Sequence, residues 1–200
     1  MCFTVTVRGV PVSGFAHPTL PIIVATQHVK PMQWGLIPSW IKDEAAAADI
    51  ASKTLNARSE TVFEKPSFRK AIVSRRALVE VDGFIEWRHE GRTTQPYRVQ
   101  SVDHGPLTLG CIWEPWTHPV TGEVVPSFSI LTTAANALLQ FVHNRKQRMP
   151  VVIPLRDHVE WLTTDDRGRM EQLMSPLPDG ALEAVPVARN LIEPVGEAVR

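Results

Sequence analysis

Two hundred residues, 44% of them hydrophobic, suit one compact domain that hides roughly 70% of the surface its unfolded chain exposes. A formal net charge of zero, 21 Lys and Arg against 21 Asp and Glu, excludes a global field that draws the chain onto nucleic acid or an anionic membrane. Two cysteines exclude a disulfide framework, the seven histidines show no metal-ligand spacing, and no apolar run approaches the roughly 18 residues of a membrane span or follows a basic leader. The expectation is a cytosolic protein with no metal and no membrane partner, in which any contact with a polyanion comes from a local patch. Seventeen prolines and six tryptophans predict short, interrupted elements carrying bulky rings.

Removal of Met1 would leave Cys2 with an α-amine and a thiol on adjacent carbons. Their ordinary pKa values are about 7.7 to 8.0 and about 8.5, and together they can close a five-membered ring on an aldehyde. Phe3, Val5 and Val7 alternate with polar residues, which predicts a strand tethering Cys2 to a sheet. A strand over 20–25 follows. Residues 32–40, with Trp34, Gly35, Pro38 and Trp40, predict a bent loop whose rings either stack on bases, at about 1 to 3 kcal/mol per base, or fill a core. Asp43 to Lys53 reads as a helix opened by its aspartate. In the extended stretch from Thr54 to Thr61, Asn56 suits either a helix cap or a hydrogen bond to substrate or amine, and Arg58 suits a bidentate clamp on phosphate.

Ser59 to Lys65 predicts a helix stopped by Pro66, and Lys65, Arg69, Lys70, Arg75 and Arg76 form a basic run without acidic residues. After a strand over 77–81, the segment Gly83-Phe84-Ile85-Glu86-Trp87 sets a carboxylate among large apolar residues on a strand. Partial burial there raises its pKa and suits proton transfer; a strand glutamate facing solvent is the plain alternative. Further strands are expected at 97–99, 107–113, 128–132 and 151–153. Ala135, Leu138, Leu139 and Val142 recur at helical spacing, so Thr133 to His143 predicts an amphipathic helix with a threonine cap. His143 then sits in the last turn, where the dipole favours imidazolium. Arg145, Lys146 and Arg148 make a second basic cluster, two late helices fit 156–162 and 167–174, and residues 175–200 read as a surface-draped tail. The whole predicts a single α/β (α+β) domain over residues 1–200, a curled, barrel-like, mixed or antiparallel sheet with short peripheral helices.

Met1-Cys2, Trp34-Gly35-Leu36-Ile37-Pro38, Asn56-Ala57-Arg58-Ser59-Glu60-Thr61, Gly83-Phe84-Ile85-Glu86-Trp87, and His143 followed by Arg148-Met149-Pro150 together resemble the SOS-response-associated peptidase (SRAP) family. The motifs stand in the family's order and span the chain up to Trp161-Leu162. The resemblance implies a single α/β domain with a curled sheet. It also implies an abasic-site sensor that binds single-stranded DNA and, after releasing its own Met1, joins Cys2 to the ring-opened aldehyde as a thiazolidine without a cofactor. By that resemblance Cys2 supplies amine and thiol, Asn56 positions the amine and the sugar, Glu86 handles protons and His143 acts as acid or base. Arg58 and Arg148 would contact phosphates, Trp34, Gly35 and Pro38 would line the DNA channel, Trp87 would pack against a base, and Thr132 would touch the DNA backbone. The expected partner is single-stranded DNA carrying abasic sites, bound by a nucleoid-associated monomer. The chain departs from the family's commonest form in carrying Phe3-Thr4 where Gly-Arg follows the cysteine, in a short segment before Trp34, and in Ala77 where a cysteine is frequent. Two other functions fit the same residues: a single-strand-binding module without crosslinking, and a cysteine peptidase acting in trans.

Overall fold

The structure, a computed structural model, describes residues 4–25 and 28–192. Cys2 and Phe3 lie outside the described residues. The fold is mixed α+β, built on a closed ring of strands. β3 (Thr19–Ala25), β4 (His28–Trp34), β6 (Arg76–Val81), β9 (Leu107–Thr117) and β10 (Val124–Ala134) pair in the cyclic order β10-β4-β3-β6-β9 and back to β10. All contacts in the ring are antiparallel except β10 with β4, where Ser127 faces Gln33 and Phe128 faces Trp34. Closure depends on β10. Its 11 residues are long enough to pair with β9 and then β11 (Arg148–Pro150) along one edge, and with β4 and then β5 (Asn56–Arg58) along the other.

Period-two alternation sorts the barrel's side chains into two cores. Ala77, Val79 and Val81 of β6, Leu109 and Cys111 of β9, and Phe128 and Ile130 of β10 join one buried cluster that also holds Trp34 and Ile22. The intervening Leu78, Ile112 and Leu131 pack outward against Ile72 of α2 (Ala71–Ser74), Trp161 of α4 (His158–Thr163) and Leu173 of α5 (Arg167–Leu173). Strands covered on both faces are buried residue after residue, and long stretches of β6, β9 and β10 are.

A second, antiparallel sheet runs β12-β8-β7-β1-β2, formed by β12 (Leu182–Pro186), β8 (Thr93–Ser101), β7 (Gly83–Glu90), β1 (Thr4–Val7) and β2 (Val10–Ser13). Arg8 and Gly9, at φ 50 and 77, make the two-residue turn of the β1-β2 hairpin, a left-handed pair that glycine relieves. Thr4 of β1 faces Ile85 of β7, so the chain enters the sheet beside Glu86.

The helix α1 (Glu44–Lys53) opens as predicted, with the Asp43 carboxylate accepting from the Ala46 N–H at 2.7 Å. Several expectations are corrected. Ser59 to Lys65 forms successive turns, because Ser59 N–H bonds the Thr132 carbonyl and holds the chain to β10. Thr133 and Ala134 belong to β10, where they pair with β11, so the next helix, α3 (Ala137–Val142), starts later and is capped by Asn136. Residues 32–34, read as loop, complete β4. Of residues 151–153 only Val152 makes a bridge, to Leu109. Part of the predicted tail is strand β12, paired along β8 with Leu182 buried.

Candidate catalytic site

Glu86 lies on β7 opposite Tyr97 of β8, with 3% of its surface exposed. His143 terminates α3, its backbone N–H bonded to the Leu139 carbonyl at 2.7 Å. Its Nδ1 is 3.0 Å from the Arg148 carbonyl oxygen, which only accepts, so Nδ1 carries the proton and Nε2 the lone pair of the neutral ring. Glu86 Oε2 lies 3.8 Å from that Nδ1, and Oε1 has no hydrogen-bond partner among the described residues. Burial pushes the Glu86 carboxyl up to about 7, against the opposing pull of the Trp87 backbone N–H and the Lys146 charge. Burial pushes His143 down to about 4; Lys146 and His89 add to this, and the bond to the Arg148 carbonyl opposes it. The dipole of a six-residue helix does not overcome desolvation, so the imidazolium expected from the sequence is not the favoured form. Near neutral pH the pair is therefore a carboxyl poised between its two states beside a neutral imidazole, able to give one proton and accept another.

Three adjacent strands gather other motif residues. β5 lies parallel to β10, with Asn56 facing Ile130 and Arg58 facing Thr132, and Thr132 in turn faces Pro150 of β11. Asn56 is buried and starts a strand, so it caps no helix. Arg58 is exposed and makes no ion pair among the described residues. Arg148 is committed inside the fold. Its guanidinium holds Glu60 in a two-point pair, with Nη2 2.9 Å from Oε2, and donates to the Thr132 carbonyl at 2.7 Å. Arg148 therefore reaches a phosphate only by giving up or sharing Glu60. Glu60 stands within a motif already singled out, but its pairing with Arg148 spans the fold and leaves no trace in local spacing.

The residues expected to line a channel are buried. Trp34 is fully buried, its indole N–H donates to the Leu55 carbonyl at 2.8 Å, and its ring stacks on Phe128 with centroids 6.0 Å apart. It has no face open to a base. Gly35, at φ 115, has no room for a side chain, since a Cβ there would stand 2.7 Å from His17 Nδ1 and 2.8 Å from the Ala51 carbonyl oxygen. Pro38 is buried too, and Thr132 is 0% exposed, its hydroxyl turned inward to the Ala57 carbonyl at 3.4 Å. Trp87 is half-buried, with the Arg189 guanidinium 5.2 Å from its ring centroid, a contact from the predicted tail that local sequence does not signal. In the first basic run Arg76 is buried, donating to the carbonyls of Ile72, Val73, Trp161 and Thr164, and Arg75 pairs with Glu114. Lys65, Arg69 and Lys70 remain exposed, as do Arg145 and Lys146. Among the described residues no group of three or more His, Cys, Asp or Glu could hold a metal ion, and no helix is long and apolar enough to cross a membrane.

The sequence model described as SOS response associated peptidase (SRAP) matches residues 15–194. The chain is 34% identical to Abasic site processing protein YoqW of Bacillus subtilis (strain 168) over 166 residues, 82% of this chain and 70% of the relative. It is 29% identical to Abasic site processing protein HMCES of Gallus gallus, across 71% of this chain and 50% of that one. A crystal structure of a protein from Bacteroides thetaiotaomicron superposes with a TM-score of 0.88 at 33% identity, covering 92% of this chain and 84% of the other. The chain belongs to the SOS response associated peptidase (SRAP) family.

Proposed function

We propose that this protein processes abasic sites in DNA, binding single strands and capturing the ring-opened sugar aldehyde on Cys2 once Met1 is removed. The observation that carries this reading is the buried Glu86–His143 pair, whose carboxyl sits on the strand that β1 joins. Cys2 stands two residues before Thr4, and two residues of extended chain span at most about 7 Å, which keeps its amine and thiol in reach of Glu86. The amine adds to C1′ and loses one water to give an imine; the thiol then adds its sulfur to the same carbon and its proton to the nitrogen. Ring closure within one residue is effectively unimolecular. Glu86 in its protonated form assists departure of the sugar oxygen and of water, and His143 Nε2 receives a proton. Asn56 orients the amine and the sugar. Arg58, with the exposed Lys65, Arg69 and Lys70, supplies a local anion-binding patch on a neutral protein, and Trp87 offers its open side to a base. The matched family span begins at residue 15, so the part played by Cys2 rests on the Met1-Cys2 start and on reach.

The decisive measurement is intact mass after incubation with a single-stranded oligonucleotide carrying one abasic site. Wild type lacking Met1 gains the oligonucleotide mass less one water; a variant with one residue inserted before Cys2 gains nothing. Equal crosslinking by the inserted variant overturns the thiazolidine. Salt-sensitive retention that is equal for wild type and Cys2→Ala, with no denaturant-stable product, would identify a binding module instead. Turnover of an unrelated peptide that is lost in Cys2→Ser would identify a trans peptidase.

A further inference from the structure

Glu86 and His143 come from elements far apart in sequence, β7 and the end of α3, and their 3.8 Å approach needs something to hold the two together. β1 pairs with β7 only as far as Ile85. Past that point the outer edge of β7 has no strand on it among the described residues. The Asn144 side chain takes that place: its Oδ1 accepts from the His89 N–H at 3.1 Å and its Nδ2 donates to the His89 carbonyl at 2.9 Å. One side-chain amide thus supplies the acceptor and donor that a neighbouring strand would have supplied. A second contact lies beside it. Arg88, two residues after Glu86 and so on the same face of β7, donates to the Phe141 carbonyl and lays its guanidinium over the Phe141 ring, 3.8 Å from the centroid. Phe141 also makes a T-shaped contact with Tyr97, the cross-strand neighbour of Glu86, with ring centroids 6.2 Å apart. Phe141 and Asn144 flank His143 in sequence, and Arg88 and His89 both follow Glu86, so the two contacts tie the chain on either side of His143 to the strand just past Glu86.

We infer that Asn144 is a positioning residue, whose amide clamps the edge of β7 and, with the Arg88–Phe141 contact, sets the imidazole of His143 against the carboxyl of Glu86. This rests on the proposed function for its consequence in catalysis, but the geometry stands apart from any substrate. Among the described residues, the charged and titratable groups around His143 include Glu86 and His89 from β7 and Lys146 from the following turn.

The test combines a measurement without DNA and one with it, on Asn144→Ala, Asn144→Asp and, should either fold poorly, Arg88→Leu. Nitrogen NMR of the His143 ring in the absence of DNA reads its tautomer and titration. Wild type is expected to keep the proton on Nδ1 and to resist protonation until about pH 4. Asn144→Ala is expected to mix the tautomers and move the titration toward the ordinary value near 6.5. The rate of adduct formation is expected to fall about tenfold to a hundredfold, the scale of misplacing a reacting group by an ångström. Asn144→Asp, which keeps the bond to the His89 N–H and loses the one to the carbonyl, falls between. In a His143→Ala background Asn144→Ala costs nothing further. An unchanged tautomer and titration in Asn144→Ala and Arg88→Leu overturns the inference, and so does an equal rate loss in the His143→Ala background. If wild type forms no adduct, the proposed function fails and the NMR measurement alone decides the clamp.

Discussion

Glu86 and His143 exchange their usual ionisation states when the chain folds. In the unfolded chain between about pH 4.5 and 6.5 the glutamate is a carboxylate and the histidine an imidazolium; in the folded protein both are neutral. The raised pKa of Glu86 contributes stability that is full below 4.5 and is lost as pH rises through about 7. The lowered pKa of His143 contributes stability that is full above 6.5 and is lost as pH falls through about 4. Over their shared window the two slopes oppose each other and the pair takes up no net proton on folding. Single substitutions unmask each slope. Relative to wild type, the urea midpoint of Glu86→Gln should rise with pH across about 4.5 to 7, where the Glu86 slope has been removed, and that of His143→Gln should fall across about 4 to 6.5. Parallel midpoint curves for wild type and both variants would show that neither group is desolvated as described. The sequence singled out Glu86 because its neighbours Phe84, Ile85 and Trp87 are apolar, and it left open whether the carboxyl faces the core or solvent; the fold buries it. The sequence pointed to His143 as well, though to the wrong protonation state, because a helix dipole is local and desolvation is set by everything packed around the ring.

At the scale of the element, α3 shows what fixes a short helix. Six residues are too few to hold a helix by propensity, and its ends are held separately. Asn136 accepts from the Leu139 N–H at 3.0 Å at the N-terminus, and its own Nδ2 donates to the Leu177 carbonyl at 3.1 Å. The C-terminal end is held by the His143 bond to the Arg148 carbonyl and by Asn144 on β7. Asn136→Ala is therefore expected to cost about 1 kcal/mol and lower the melting temperature by about 2 to 4 °C. The adduct rate should stay at the wild-type value, because the reactive end is anchored independently. A thermal melt and a crosslinking time course check this, and a large rate loss would show that the two ends of α3 are coupled. The apolar spacing of Ala135, Leu138, Leu139 and Val142 correctly announced a helix, but not its start. Thr133 is an acceptable cap in isolation, if weaker than Asn136; pairing of β10 with β11 assigns Thr133 to a strand.

For the whole molecule the barrel decides which residues are framework. Trp34, at the junction of β4 with β10, fills the interior against Phe128, so Trp34→Ala should cost about 3 to 5 kcal/mol. Trp40, with half its surface exposed, should cost under about 1 kcal/mol when replaced by Ala. Urea denaturation distinguishes the two, and affinity for single-stranded DNA measured on the folded fraction should be the same for Trp34→Ala and wild type. A selective loss of DNA binding with little loss of stability would return Trp34 to the interface. From sequence alone the alternation of apolar residues determined the strand-rich α+β class, and the order of five short motifs determined the family. The type of each reactive side chain also determined the chemistry open to it. Tertiary structure decided which rings and hydroxyls are hidden, as with Trp34 and Thr132, which arginines are already paired, as with Arg76 and Arg148, and how Asn144 ties His143 to β7. The reason is one of range: periodicity and propensity act within a few residues, whereas burial and hydrogen bonding at this site join residues brought together only when β10 closes the barrel.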